Sequence, residues 1–242
     1  MQGSALSIIS VLLYISAMIV SYEHNFIFVH IFRTAGRSFT KALKQFGLEE
    51  IPGQTHRHHT AAEIRELVGA EFWEQSFTYA VIRNPWERLL SQYLYHLQTT
   101  REFKARHGQK PTKVARRTQK RMRRFRDFDA FIHWFAVKEE LNEWTRHKLT
   151  QSEFLFDESG RQMVDHIMRF ENLESEMTIL EEKLGLDIDL PFINHQPHRH
   201  YSEYYNSEIR DIVAEMCQHE IEEFGYTFSS PASSGSGDGE HG

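Results

Sequence analysis

Hydrophobic and polar positions alternate with two periods along most of this chain. Phe26-Ile-Phe-Val-His-Ile31 is an unbroken β-rich run, the pattern of a strand covered on both faces. A loop over 32–37 follows, then residues 38–46 read as a helix stopped by Gly47. Thr60-Ala-Ala-Glu63 forms a capping box ahead of Ile64, Leu67 and Val68, which recur at helical spacing. Phe77-Thr-Tyr-Ala-Val-Ile82 is a second buried strand ending at Arg83-Asn-Pro85, and Pro85 suits a first helical turn. Leu89, Leu90, Tyr93, Leu94 and Leu97 continue that helix, and Phe128, Phe131, Ile132 and Phe135 mark another. Residues 164–170 predict a third strand, and 171–184 and 207–224 predict helices. No internal repeat interrupts this order. Strands alternating with helices predict an α/β fold with a central, mainly parallel sheet flanked by helices on both faces.

The 242 residues fit one domain, expected over residues 21–228. Residues 1–20 form an apolar leader with no charge. Three readings of it stay open. A signal peptide lacks the Lys or Arg that should precede the apolar run. A membrane anchor over 5–20 is short for a span of roughly 20 residues. The third reading is a non-native extension, with Met18 as the true start. Residues 229–242 are rich in Ser and Gly and are expected to be a disordered tail. The expected location is the cytoplasm, or a membrane surface if residues 5–20 anchor the chain.

Composition removes some classes. Cys217 is the only cysteine, which excludes an intrachain disulfide and a thiol zinc site. No Asn-x-Ser/Thr sequon occurs. The net charge of −6 hides an uneven spread. Residues 101–126 hold twelve Lys or Arg and one acid, leaving 28 − 12 = 16 bases and 34 − 1 = 33 acids elsewhere. This basic stretch is a solvated helix, a nucleic-acid surface, or a groove for an anionic acceptor. No stacking pattern or reader motif supports nucleic acid, so none is expected as a partner.

The strand–loop–helix unit at 26–46 places a loop at a helix N-terminus, where backbone N–H groups favour anions. Gly36-Arg37-Ser38 imitates the end of a P-loop, but Ile31 stands at the first glycine position and Arg37 at the lysine position. The second strand ends in Arg83, where a Mg²⁺-dependent enzyme would want an acid. The loop is suited to an anion without the magnesium apparatus, which suits sulfuryl transfer. A P-loop kinase is the disfavoured alternative, and no metal site is expected. Among the histidines, His56, His58 and His59 share one loop, and His195, His198 and His200 form a second cluster. The cluster around Arg199 either touches donor phosphates or lies on the surface.

His30-Ile-Phe-Arg-Thr-Ala-Gly-Arg-Ser38 resembles the 5′-phosphosulfate loop of the carbohydrate sulfotransferase family, and Arg83-Asn-Pro-Trp-Glu-Arg-Leu-Leu-Ser-Gln-Tyr93 resembles its 3′-phosphate motif. His58-His59-Thr60-Ala61, residues 151–156, Arg169-Phe-Glu-Asn-Leu173 and the closing stretch 200–228 are also similar to the family. The resemblance implies a P-loop NTPase-like fold and a transfer from PAPS (3′-phosphoadenosine 5′-phosphosulfate) to a hydroxyl, on a sugar or anionic polysaccharide. It implies that Arg33 contacts the leaving oxygen and that Thr34, Ala35, Gly36, Arg37 and Ser38 wrap the 5′-phosphate. It implies that Arg83 and Ser91 bind the 3′-phosphate and that His58 is the base, with His59, His56 and Glu63 behind it. The sequence departs from the family at Arg33, Ala35 and Arg37, where Lys, Gly and Thr are usual. A non-catalytic nucleotide- or glycan-binding protein on the same scaffold is the alternative reading.

Overall fold

The computed structural model describes residues 19–46, 58–107, 127–137, 139–140, 145–191 and 197–230. Four strands, β1 (Ile19–Ser21), β2 (Phe26–Val29), β3 (Phe77–Ile82) and β4 (His166–Arg169), form one sheet in that order. β1 runs antiparallel to β2, whereas β2, β3 and β4 are parallel, with Phe28 opposite Tyr79 and Tyr79 opposite His166. The fold is the expected α/β arrangement with a mainly parallel sheet.

Side-chain alternation explains why both strand faces are apolar. Phe26, Phe28, Tyr79 and Val81 pack with Phe39 and Leu43 of α1 (Gly36–Leu43) and with Met177 and Leu180 of α7 (Leu173–Leu184). Ile27, Val29, Ala80 and Ile82 pack instead with Ile64 of α2 (Ala61–Val68) and with Phe154 and Leu155 of α6 (Gln151–Leu155). A third core contains no strand residue. It joins Leu89, Leu90 and Tyr93 of α4 (Pro85–His107) to Phe131 and Ile132 of α5 (Phe128–Ala136) and Ile209 and Val213 of α8 (Ser207–Met216).

Several expected boundaries shift. β1 lies at residues 19–21, so two residues assigned to the leader pair with the first core strand. The expected helix over 38–46 starts at Gly36 and tightens into a 3₁₀ turn after Leu43. Helix α3 (Ala70–Gln75) follows α2 across Gly69, whose φ of 88° ends the first helix. The expected single helix over 207–224 is two, α8 and α9 (Gln218–Phe224), so Cys217 sits at a buried junction instead of mid-helix. Ser229, assigned to the tail, is fixed by hydrogen bonds to the Tyr201 hydroxyl. Residues 1–18, the basic residues at 108–126 and the tail at 231–242 lie outside the described residues. No helix among the described residues is long and apolar enough to cross a membrane.

Candidate active site

The parallel strands β2 and β3 deliver their following loops to the same sheet edge, the edge where open α/β sheets bind ligands. The loop after β2 turns sharply. Arg33 and Ala35 both adopt left-handed backbone, with φ of 67° and 63°. A Cβ there costs roughly 1–2 kcal/mol per residue. Ala35 is the N-cap of α1 and gives no side-chain cap, so α1 begins without the hydroxyl or carboxylate that usually meets first-turn N–H groups. Thr34 is buried, and its hydroxyl donates to the Ile31 carbonyl at 3.0 Å. Gly36 has a steric reason: a Cβ there would lie 1.6 Å from His30 Nε2. Ser38 is buried in the same turn, while Arg37 is exposed.

Two half-buried arginines meet at this loop. Arg33 Nε donates to Ser91 Oγ at 3.1 Å, and its guanidinium lies 4.8 Å from the Tyr95 ring centre. Arg83 donates from Nη1 to the Arg33 carbonyl at 3.4 Å and from Nη2 to Glu87 Oε1 at 2.6 Å. Phe170 stacks against its guanidinium at 4.3 Å. Gln151 clamps the Arg83 backbone, accepting its N–H and donating to its carbonyl, both at 2.8 Å. Burial and the Arg83 charge pull the Arg33 guanidinium down to about 10. Burial lowers Arg83 as well, against the pull of Glu87 and Glu171. Two cations are thus held close in a site of low dielectric, an arrangement that an anion relieves.

His58 is fixed on three sides. Its Nδ1 lies 2.9 Å from the His30 carbonyl, which can only accept, so Nδ1 carries the proton. Nε2 is then the basic nitrogen of the neutral ring. The ring stacks on Phe32 with centroids 3.5 Å apart. Arg146 donates from Nη1 to the His58 carbonyl at 3.1 Å and to Glu63 Oε2 at 2.7 Å, and its Nη2 also pairs with Glu63. Burial alone would raise the Glu63 carboxyl, but the hydrogen bonds and charge of Arg146 hold it below its ordinary range. Glu63 also caps α2 through Thr60, and His59 is buried 3.7 Å from it. Both of the described fallback bases, His59 and Glu63, are therefore engaged in structure around Arg146. His56 lies outside the described residues.

Sequence reasoning named Ser91 and missed its neighbours Gln92, Tyr95 and His96. Arg88, Ser91, Gln92, Tyr95 and His96 recur at i, i+3, i+4, i+7 and i+8 along α4, a polar stripe beside the apolar one. Counting polar as well as apolar residues at this period would have found it. Arg88 is fully buried, with Nη2 directed at the Leu149 carbonyl, in keeping with a structural part. Trp86 is likewise structural, donating to the Arg210 carbonyl. His96 is held down to about 4 by burial and Arg33. His147 is held down to about 3 by burial and His96. Both stay neutral near pH 7. The segment Thr145, Arg146, His147, Lys148 is buried although polar, and no local pattern announces it.

This arrangement, two clustered cations at a helix-initiating loop and an oriented imidazole on Phe32 of the same loop, can hold an anion near a base. The chain matches the sulfotransferase family over residues 16–227, and it belongs to that family. Its general role is therefore sulfuryl transfer, and its class is transferase. No curated protein and no solved structure matches it.

Proposed function

We propose that the protein is a PAPS-dependent O-sulfotransferase acting on a carbohydrate hydroxyl. The observation that carries this reading is the convergence of two half-buried arginines, Arg33 donating to Ser91 and Arg83 donating to the Arg33 carbonyl. Arg83 Nε is buried and meets no hydrogen-bond partner among the described residues. A 3′-phosphate fits that need, because a guanidinium fork matches phosphate oxygens bidentately. Such a phosphate is what separates PAPS from ATP.

The roles follow from position. Arg83 and Ser91 hold the 3′-phosphate. The turn from Thr34 through Ala35, Gly36 and Arg37 to Ser38 surrounds the 5′-phosphate with backbone N–H groups and hydroxyls. The donor supplies the sulfuryl group and leaves as 3′-phosphoadenosine 5′-phosphate. His58 receives the acceptor's hydroxyl proton at Nε2. Arg33 balances the charge that gathers on the leaving phosphate oxygen. No metal enters this scheme. The basic residues of 101–126 attract an anionic polysaccharide acceptor, and the reaction takes place in the cytoplasm or at a membrane surface.

Labelled sulfate transfer from PAPS to a panel of heparan, chondroitin and dermatan backbones tests the reading. We expect incorporation into at least one. We expect His58→Ala to lower it roughly 10²–10⁴-fold with nucleotide binding intact. Tight binding of 3′-phosphoadenosine 5′-phosphate without transfer to any acceptor would make the protein a binding module on this scaffold. The strained Ala35 is the observation that favours that second reading.

A further inference from the structure

Gln151 joins the end of β3 to a buried carboxylate. Its Oε1 accepts from the Arg83 N–H and its Nε2 donates to the Arg83 carbonyl, both at 2.8 Å. β3 ends at Ile82, so the side-chain amide serves the next residue as a hydrogen-bonded partner strand would. Only an amide can fill both parts. A carboxylate accepts without donating, and an apolar side chain does neither. Gln151 is held in its turn: its own N–H, in the first turn of α6, donates to Glu220 Oε2 of α9 at 2.8 Å. Gln151 and Glu220 are both fully buried, so bulk water does not compete for these bonds.

The far end of Arg83 is fixed separately. Nη1 donates to the Arg33 carbonyl, Nη2 donates to Glu87, and Phe170 lies against the guanidinium. Nε is buried and meets no hydrogen-bond partner among the described residues. It is the fork nitrogen nearest the clamped peptide, so a shift of that peptide displaces it most directly. A long side chain is aimed to a fraction of an ångström only when both of its ends are held.

We propose that Gln151, seated by Glu220, is a positioning residue that aims the Arg83 fork and sets selectivity for a 3′-phosphate. The inference rests on the donor reading above. The turn at 34–38 has other supports, the Ile31 carbonyl and the His30 ring. Loss of the clamp therefore falls on the 3′-phosphate and spares the 5′-phosphate.

Calorimetry on the full chain, with 3′-phosphoadenosine 5′-phosphate and with adenosine 5′-phosphate, reads that selectivity as the ratio of the two Kd values. We expect Gln151→Met to lower the preference for the 3′-phosphorylated nucleotide about tenfold, as loss of one charge-assisted bond predicts, with little change for adenosine 5′-phosphate. Glu220→Met should lower the preference in the same direction by less. A general loss of stability would weaken both nucleotides together and leave the ratio where it was. Should Gln151→Met fail to fold, Gln151→Asn carries the same expectation, because its amide is one methylene too short to reach both Arg83 groups. A wild-type preference that persists in the Gln151 variant overturns this proposal and leaves the donor reading standing. A preference lost in the Gln151 variant and kept in Glu220→Met overturns the part given to Glu220. A wild type with no preference overturns the donor reading and this proposal with it.

Discussion

The loop after β2 and the loop after β3 each present an arginine at the end of a buried strand, yet they hold their backbones in different ways. Arg83 enters through relaxed geometry: Gln151 clamps its peptide groups, and Asn84 Oδ1 accepts from the N–H of Trp86 and Glu87 at the start of α4. Arg33 sits in left-handed backbone two residues before Ala35 does the same. There packing maintains the turn, through the buried Thr34 hydroxyl, the His30 ring against Gly36, and His58 on Phe32. The contrast teaches that strain gathers where the family's glycine has been replaced, and that neighbouring packing over-determines the strained shape.

Four substitutions probe that contrast, from the largest expected effect to the smallest. Gly36→Ala sets a Cβ into the His30 ring, and we expect a loss of about 3 kcal/mol in urea unfolding, at the upper end for overpacking. The relaxed loop has no position of that kind.

Arg146→Met removes the partner of Glu63 and the support of the His58 carbonyl, and we expect about 2 kcal/mol of destabilisation, reduced from a fully buried pair by the exposure of Glu63. The Glu63 carboxyl is lowered in the folded state, so its stabilisation is present above its unfolded value and is lost as pH falls. Acid titration of stability below about pH 5 should therefore be shallower in Arg146→Met. An unchanged acid profile would show that Glu63 does not depend on Arg146.

Ala35→Gly should relieve the strained loop and raise stability by about 1 kcal/mol, readable as a higher Tm. A lower Tm would mean that the Ala35 methyl packs better than its backbone suffers. Ser91→Ala removes the acceptor of Arg33 Nε, and we expect about 1 kcal/mol of lost stability with weaker nucleotide binding.

The sheet was largely legible in the chain, because Phe77–Ile82 and the Phe26 run are apolar on both faces and bounded by turn residues. β1 was not, since its three residues continue an apolar leader with no break before Ser21. Local chemistry also announced the Thr60–Glu63 capping box, which is present with both of its hydrogen bonds. Arg146 reaches Glu63 across 83 positions, and no spacing rule connects them. His96 lies on a helix whose apolar period drew attention, while its protonation is governed by burial and by Arg33 from the loop after β2. Glu87 was legible only in part: Arg83 stands four residues before it, at helical spacing, whereas His198 reaches it from far along the chain.

The most direct test of the central claim is thermal stabilisation by 3′-phosphoadenosine 5′-phosphate, compared with adenosine 5′-phosphate and with ATP–Mg²⁺, in wild type and Arg83→Ala. A ligand at 100-fold its Kd adds about 2.7 kcal/mol. The account predicts a shift of that order with the 3′-phosphorylated nucleotide alone, lost in Arg83→Ala. An equal shift with adenosine 5′-phosphate, a preference for ATP–Mg²⁺, or a shift that survives in the variant would contradict it.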